Sequence, residues 1–322
     1  MRSTKLAARL ALTLGLCALA GCSGKDVTAP GSGSEFEPPD TLQVEIPPGL
    51  PHFRNPDDNP LTVQGVHLGR LLFFDPILSG DSTEACGTCH SPSFAFTDHG
   101  KQFSEGIRPG TVGTRNAPPI FNLAWLRGFF WDGRAPSLEA QALQPVPNPN
   151  EMDLDWNTAV ARLQRHPEYP ALFGAAFGTS EITRDRVVQA IAQFERTIIS
   201  ADSKYDRWNR HEVELTPSER RGFELFFTER GDCFHCHGGP LLTDGLFHDN
   251  GLDAVPPDSG RGAITGLATD YGKFKTPSLR NIEYTAPYMH DGRFQTLTEV
   301  AFLKTLSDPT YLSNPDYSNP YK

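Results

Sequence analysis

Two pentapeptides decide how this chain folds: Cys86-Gly87-Thr88-Cys89-His90 in its first half and Cys233-Phe234-His235-Cys236-His237 in its second. Each is C-x-x-C-H, the attachment signal for a c-type haem. Thiols three positions apart on a helical turn can each form a thioether with a haem vinyl group, and the adjacent imidazole reaches the iron. A redox dithiol, a pair of disulfides or a four-cysteine zinc site also uses paired cysteines. None of these needs a histidine directly after each pair, and both pairs have one. Cys86, Cys89, Cys233 and Cys236 are therefore expected to carry two covalent haem c groups, with His90 and His237 as iron ligands.

Working outward, the two motifs have similar approaches. LTVQGVHLGRLLFFDPILSGDSTEA (61–85) precedes the first and LTPSERRGFELFFTERGD (215–232) the second. Leu68, Leu71 and Leu72, then Phe223, Phe226 and Phe227, recur at helical spacing. Thr216, Pro217 and Glu219 form an N-terminal signature: a capping hydroxyl, proline at the first helical position and glutamate at the third. Each half thus reads as helix, loop, haem motif. A further amphipathic helix, RDRVVQAIAQFERTIIS (184–200), joins them, with Val188, Ile191, Phe194 and Ile198 as core positions. The expected fold is mainly α, with two cytochrome c-type domains packed around a shared junction. The boundaries are 51–205 for the first and 206–322 for the second.

Composition narrows the function. The 322 residues carry 29 bases against 39 acids, a net charge of −10. That argues against a nucleic-acid binder, whose phosphate contacts need a basic face. Arg2, Lys5 and Arg9 precede the apolar run LALTLGLCALA, which ends at Gly21-Cys22, so 1–21 reads as a secretory signal. Leu19-Ala20-Gly21-Cys22 resembles a bacterial lipobox, which implies lipid on Cys22, and the following Ser23 implies anchoring at the outer membrane from the periplasmic side. Residues 22–50, rich in Gly, Ser, Pro and Glu, read as a flexible tether.

Seven stretches together resemble one family: LGRLLFFDPILS, CGTCHSPSFAFTD, RNAPPIFN, FFWDGRAPSLEAQALQPVPNPNEM, AIAQFERTIIS, CFHCHGG and FKTPSLRNIEYTAPYMHDGRF. They are similar, in the same order, to bacterial di-haem cytochrome c peroxidases and the related MauG-type di-haem enzymes. The resemblance implies a peroxidatic haem on His90 and an electron-transfer haem on His237. It implies that Trp131 lies between the haems as an electron bridge. It also implies that Gln141 and Glu151 form a polar pair above the peroxidatic iron, with Pro145 in the same loop. Splitting a peroxide requires a proton to move from one oxygen to the other before water leaves, which a carboxylate at Glu151 can do as base and then acid. Gln141 can donate a hydrogen bond without changing charge. Asn116, with the carbonyls of Thr285 and Pro287, matches the family's calcium site, an oxygen-only set that suits this ion.

The chain departs from the family twice. Many members have a histidine after the first haem motif that blocks the peroxidatic iron at rest; here the stretch is FSEGIRPGTVGTRNAP (103–118), without histidine. The resting site is expected to be open. Members also place a methionine or tyrosine ligand for the second haem after the HDG motif. Here VAFLKTLSDPTYLSNPDYSNPYK resembles the family's final helix and tail instead. Met289, Lys304 and an open site remain the alternatives.

The leading expectation is a periplasmic di-haem peroxidase, reducing hydrogen peroxide with electrons from a small c-type cytochrome or a copper protein. A MauG-like oxidase of a protein or organic substrate and a simple electron carrier are the other readings. Members of this family are often homodimers, so a dimer is carried over as an expectation.

Overall fold

A computed structural model of the chain describes residues 36–297 and 301–322. The signal, Cys22 and residues 22–35 of the tether lie outside the described residues. Within them the structure is mainly helical. In chain order the helices are α1 (Val63–Phe74), α2 (Cys86–Cys89), α3 (Leu138–Ala142), α4 (Trp156–Arg165), α5 (Tyr169–Phe177) and α6 (Arg184–Thr197). There follow α7 (Lys204–Asn209), α8 (Pro217–Phe226), α9 (Phe234–His237), α10 (Gly262–Thr265), α11 (Ala301–Lys304) and α12 (Pro309–Leu312). The described strands β1 (Phe247–His248) and β2 (Phe274–Lys275) pair antiparallel, Phe247 opposite Lys275.

The first half is built on α1 against α6. Gly65 and Gly69 lie one turn apart on α1, where any side chain would collide with the Gln193 side chain and the Ala190 carbonyl. The two backbones therefore approach closely, and Leu68, Leu72 and Phe73 bury with Val187, Ile191 and Phe194. The rings of Phe73 and Phe194 meet edge to face, 5.4 Å between centroids. All four core positions expected on the 184–200 helix are buried, although the helix itself ends at Thr197. Gln193 is the polar exception in this contact. Its Oε1 accepts from the Thr62 amide at 3.0 Å and its Nε2 donates to Asn59 Oδ1 at 2.9 Å, so the buried amide is satisfied.

The second half repeats the plan. Thr216 caps α8 by accepting from the Glu219 amide, and Glu219 returns a bond to the Thr216 amide at 2.6 Å, closing the expected capping box. The apolar face of α8 buries Phe226 against Leu242, Phe302 and Leu306, with Tyr205, Phe223 and Phe227 around them. These two cytochrome c-type halves meet along the 129–135 turn, where the Lys275 amide of β2 donates to the Trp131 carbonyl at 2.7 Å. The C-terminal tail returns to the first half. Arg70 on α1 donates to the Pro315 and Ser318 carbonyls at 2.6 and 2.9 Å, and Tyr317 donates to the Thr197 carbonyl at 2.9 Å. At the other terminus, the described end of the tether is also held: the Leu42 amide donates to the Leu61 carbonyl and the Val63 amide to Asp40.

Replacing Gly69 by alanine is expected to force α1 off α6 and cost about 1–3 kcal/mol. A lower urea midpoint at unchanged slope would show it; an unaltered midpoint would mean the helices separate without cost.

Candidate haem sites

At the first motif the chain builds an imidazole with a fixed tautomer. After His90 the backbone doubles back, with Ala95 and Phe96 at φ of 52° and 57° and the Phe96 amide donating to the Ser91 carbonyl at 2.8 Å. This aims the Phe96 carbonyl at His90, whose Nδ1–H donates to it at 2.8 Å, the tautomer in which Nε2 carries the lone pair that a metal would take. Burial lowers the His90 pKa, keeping the ring neutral as an iron ligand must be. Burial also pushes the Cys86 and Cys89 thiols up to about 12.

These three side chains form one wall of a large, open-mouthed cavity. Its other walls are mostly apolar, from Phe73, Ile120, Phe121, Leu138 and Ile191. Two thiols, one neutral imidazole and apolar walls around such a void suit a covalent haem c.

The same cavity gathers residues that are far apart in sequence. Gln141 comes from α3, whose N-terminus Ser137 caps by accepting from the Ala140 amide at 3.1 Å. Pro145 and Glu151 come from the following loop. Asn148 donates to Glu151 Oε1 at 2.8 Å. Burial raises the Glu151 pKa; that hydrogen bond and the Arg134 charge oppose the shift without cancelling it. Trp131 is buried, donates through Nε1 to the Asn116 carbonyl at 2.8 Å and meets the His290 ring edge to face. It thus touches first-half and second-half segments at once. Ser104, Glu105 and 113–118, from the stretch without histidine, also line the cavity.

Asn116 lies beside the segment that holds Thr285 and Pro287: its amide donates to the His290 carbonyl at 2.7 Å, and the Gly100 amide donates to Ala286 at 3.1 Å. Its Nδ2 donates to the Lys101 and Gln102 carbonyls. The three calcium candidates therefore belong to one set of adjoining segments.

Two cavity residues were not anticipated. Lys275 donates to the Gly128 carbonyl at 2.9 Å, and burial pushes it down to about 8. Glu195 on α6 is the other, with a carboxyl raised to about 8 by burial.

The second motif repeats the proximal device in a more open setting. His237 Nδ1–H donates to the Leu242 carbonyl at 3.3 Å. The segment after β2 straps this loop down: Ser278 donates to the Leu241 carbonyl at 2.6 Å and Thr243 to Thr276 at 2.7 Å. Arg280, 2% exposed, donates to the Pro240 carbonyl and to both carboxylate oxygens of Asp206 on α7, at 2.7 and 2.8 Å. Lys304 is exposed on α11, and Met289 is half-buried in the turn before Gly292, at φ 76°. His248 pairs with Asp244 at 2.7 Å.

Comparison with known proteins fits this geometry. A sequence profile for di-haem cytochrome c peroxidases matches residues 63–214. The methylamine utilization protein MauG of Methylorubrum extorquens is 40% identical over 294 residues, covering 88% of this chain and 82% of that protein. The chain belongs to the di-haem cytochrome c peroxidase family. It is a haem-dependent oxidoreductase whose cofactor is two covalently bound haem c groups. Another relative, the cytochrome c551 peroxidase of Nitrosomonas europaea, is 35% identical over 285 residues, 79% of this chain and 81% of that one. Among solved structures, a MauG-like protein associated with microbial copper homeostasis superposes with a TM-score of 0.80 at 34% identity. The match covers 88% of this chain and 100% of that structure.

The Arg280–Asp206 pair generates a prediction for this family member. Burial works to raise the Asp206 pKa, but Arg280 and Ser203 outweigh it and hold the carboxyl below its usual value. Its stabilising contribution is therefore complete above the unfolded value near 4 and is lost as pH falls through the folded one. Arg280→Met leaves a buried carboxylate unpaired and is expected to cost about 3–5 kcal/mol at neutral pH, and less in acid. Urea unfolding of both proteins at pH 7 and in acid measures the difference.

Proposed function

We propose that this protein reduces hydrogen peroxide to water at the His90 haem, drawing electrons through the His237 haem from a small c-type cytochrome or copper protein. The observation that carries the reading is the shared cavity: Glu151 and Gln141 line the space that the thiols and imidazole of the first motif also line. Cys86 and Cys89 hold the haem of the peroxidatic half, 51–205, and Cys233 and Cys236 that of the electron-transfer half, 206–322. Bound there, the haem supplies the redox chemistry. Glu151, desolvated yet hydrogen-bonded by Asn148, accepts a proton from one peroxide oxygen and returns it to the other. Gln141 orients the peroxide by donating its amide hydrogens, and the apolar walls exclude competing water. Trp131, between the halves, carries the electron.

Calcium at Asn116, Thr285 and Pro287 would brace the segments around Trp131. Export to the periplasm, lipid on Cys22, anchoring at the outer membrane and a homodimer complete the proposal. No described helix is long and apolar enough to cross a membrane.

Glu151→Gln should retain both haems and lose peroxide turnover by about a hundred- to ten-thousand-fold. Unchanged turnover removes Glu151 from the mechanism. The resting N-terminal haem should be high-spin and react with peroxide without prior reduction; a fully low-spin resting spectrum contradicts the open site. With 39 acids against 29 bases, turnover with a basic donor should fall as salt rises.

The 40% identity to MauG supports a second reading, oxidation of a protein or organic substrate. An oxidised state formed by peroxide that outlasts addition of small donors would favour it.

A further inference from the structure

Glu195 lies one turn beyond Ile191 on α6, and both line the cavity beside Cys86. It is only 4% exposed, and its Oε2 has no hydrogen-bond partner among the described residues. The adjacent cation does not serve it. Arg196 pairs with Glu139 on α3, at 2.7 and 3.0 Å, and Asn59 donates to the same Glu139 carboxylate at 2.6 Å. The charged and titratable groups that act on Glu195 are thus Arg196 on its own helix, Glu139 from α3 and Cys86 from α2. Cys86 becomes a thioether when haem is attached.

A carboxyl buried without a counter-ion keeps its proton. Burial raises Glu195 to about 8, so the group is a neutral acid at pH 7 with an unsatisfied oxygen at a cavity wall. Buried polar atoms are nearly always satisfied in folded proteins, and an exception calls for a functional account.

The proposed reaction supplies one. Converting one peroxide to two waters consumes two electrons and two protons. The transfer made by Glu151 moves a proton already on the peroxide and brings in none. We propose that Glu195 is a second proton-holding residue of the N-terminal haem pocket, giving its carboxyl proton to an oxygen that becomes water and regaining one from solvent, once for each of the two protons that a cycle consumes. The carboxyl O–H breaks, a water O–H forms, and the electrons come from the donor protein. This role rests on the peroxidase reading of the site.

The test uses the haem-loaded full chain. In wild type, the oxidised-minus-reduced infrared spectrum at pH 7 should contain a buried carboxylic-acid band, and the potential of the N-terminal haem should fall with pH around 8. Glu195→Gln should lose the band, flatten that pH dependence and slow peroxide turnover at least tenfold, with an unchanged KM for the donor. A variant that keeps band, slope and turnover overturns the proposal. Should the variant fail to load haem, the wild-type spectrum decides: peroxide turnover without a carboxylic-acid band overturns Glu195 alone. A wild type with the band but no peroxide turnover overturns the peroxidase reading and the proton delivery with it.

Discussion

Asp308 is 1% exposed and its carboxylate accepts six hydrogen bonds, an arrangement on which the joining of the two halves depends. One oxygen takes the Ser200 hydroxyl and the Ala201 and Asp202 amides, just beyond the end of α6. The other takes the Thr310 amide and hydroxyl and the Tyr311 amide, at the start of α12. The Asp308 amide donates to Asn281, which donates in turn to Ser200, and Ser200 exchanges two bonds with Asn122. Removing a carboxylate from water is costly unless donors replace its hydration, and here six do. Four segments distant in sequence are fixed at one point. They include the exit of the helix that carries Glu195 and, through Tyr311 donating to the Ile120 carbonyl at 3.1 Å, a wall of the first cavity.

Much of this was legible in the sequence where the signal is local. The two C-x-x-C-H motifs, the Thr216 capping box and the apolar spacing of α1, α6 and α8 are each decided within a few residues. Gathering Trp131, Gln141 and Glu151 around Cys86 was not legible from spacing, since nothing local says that a loop at 145–151 faces a thiol at 86; the family resemblance supplied it. Glu195 was missed because it reads as a polar residue between Phe194 and Arg196. Its spacing of four from Ile191 puts it on the buried face, and that was the available signal. Gly65 and Gly69 hid in the same way, their role being visible only once the partner helix is in place. The tether's composition suggested mobility, whereas Asp40 and Leu42 bond to the start of α1.

The two C-x-x-C-H motifs share one histidine-to-carbonyl device in unlike surroundings. Around His90 the half-buried thiols are strongly desolvated against mostly apolar walls, so charges inside act strongly on one another. In the second half, Leu246 follows the loop strapped down beside His237 and is 59% exposed. A shielded site suits chemistry on a small molecule; an open one suits exchange with a partner at the surface.

The return of the tail to α1 has a consequence for how the molecule is assembled. The Arg70–Ser318 contact spans 248 positions, nearly the whole described chain. Contacts of such long range form after local ones, because the loop-closure entropy must be met before they reward it. The surface of α1 and α5 is therefore completed late, once the helices it rests on have formed.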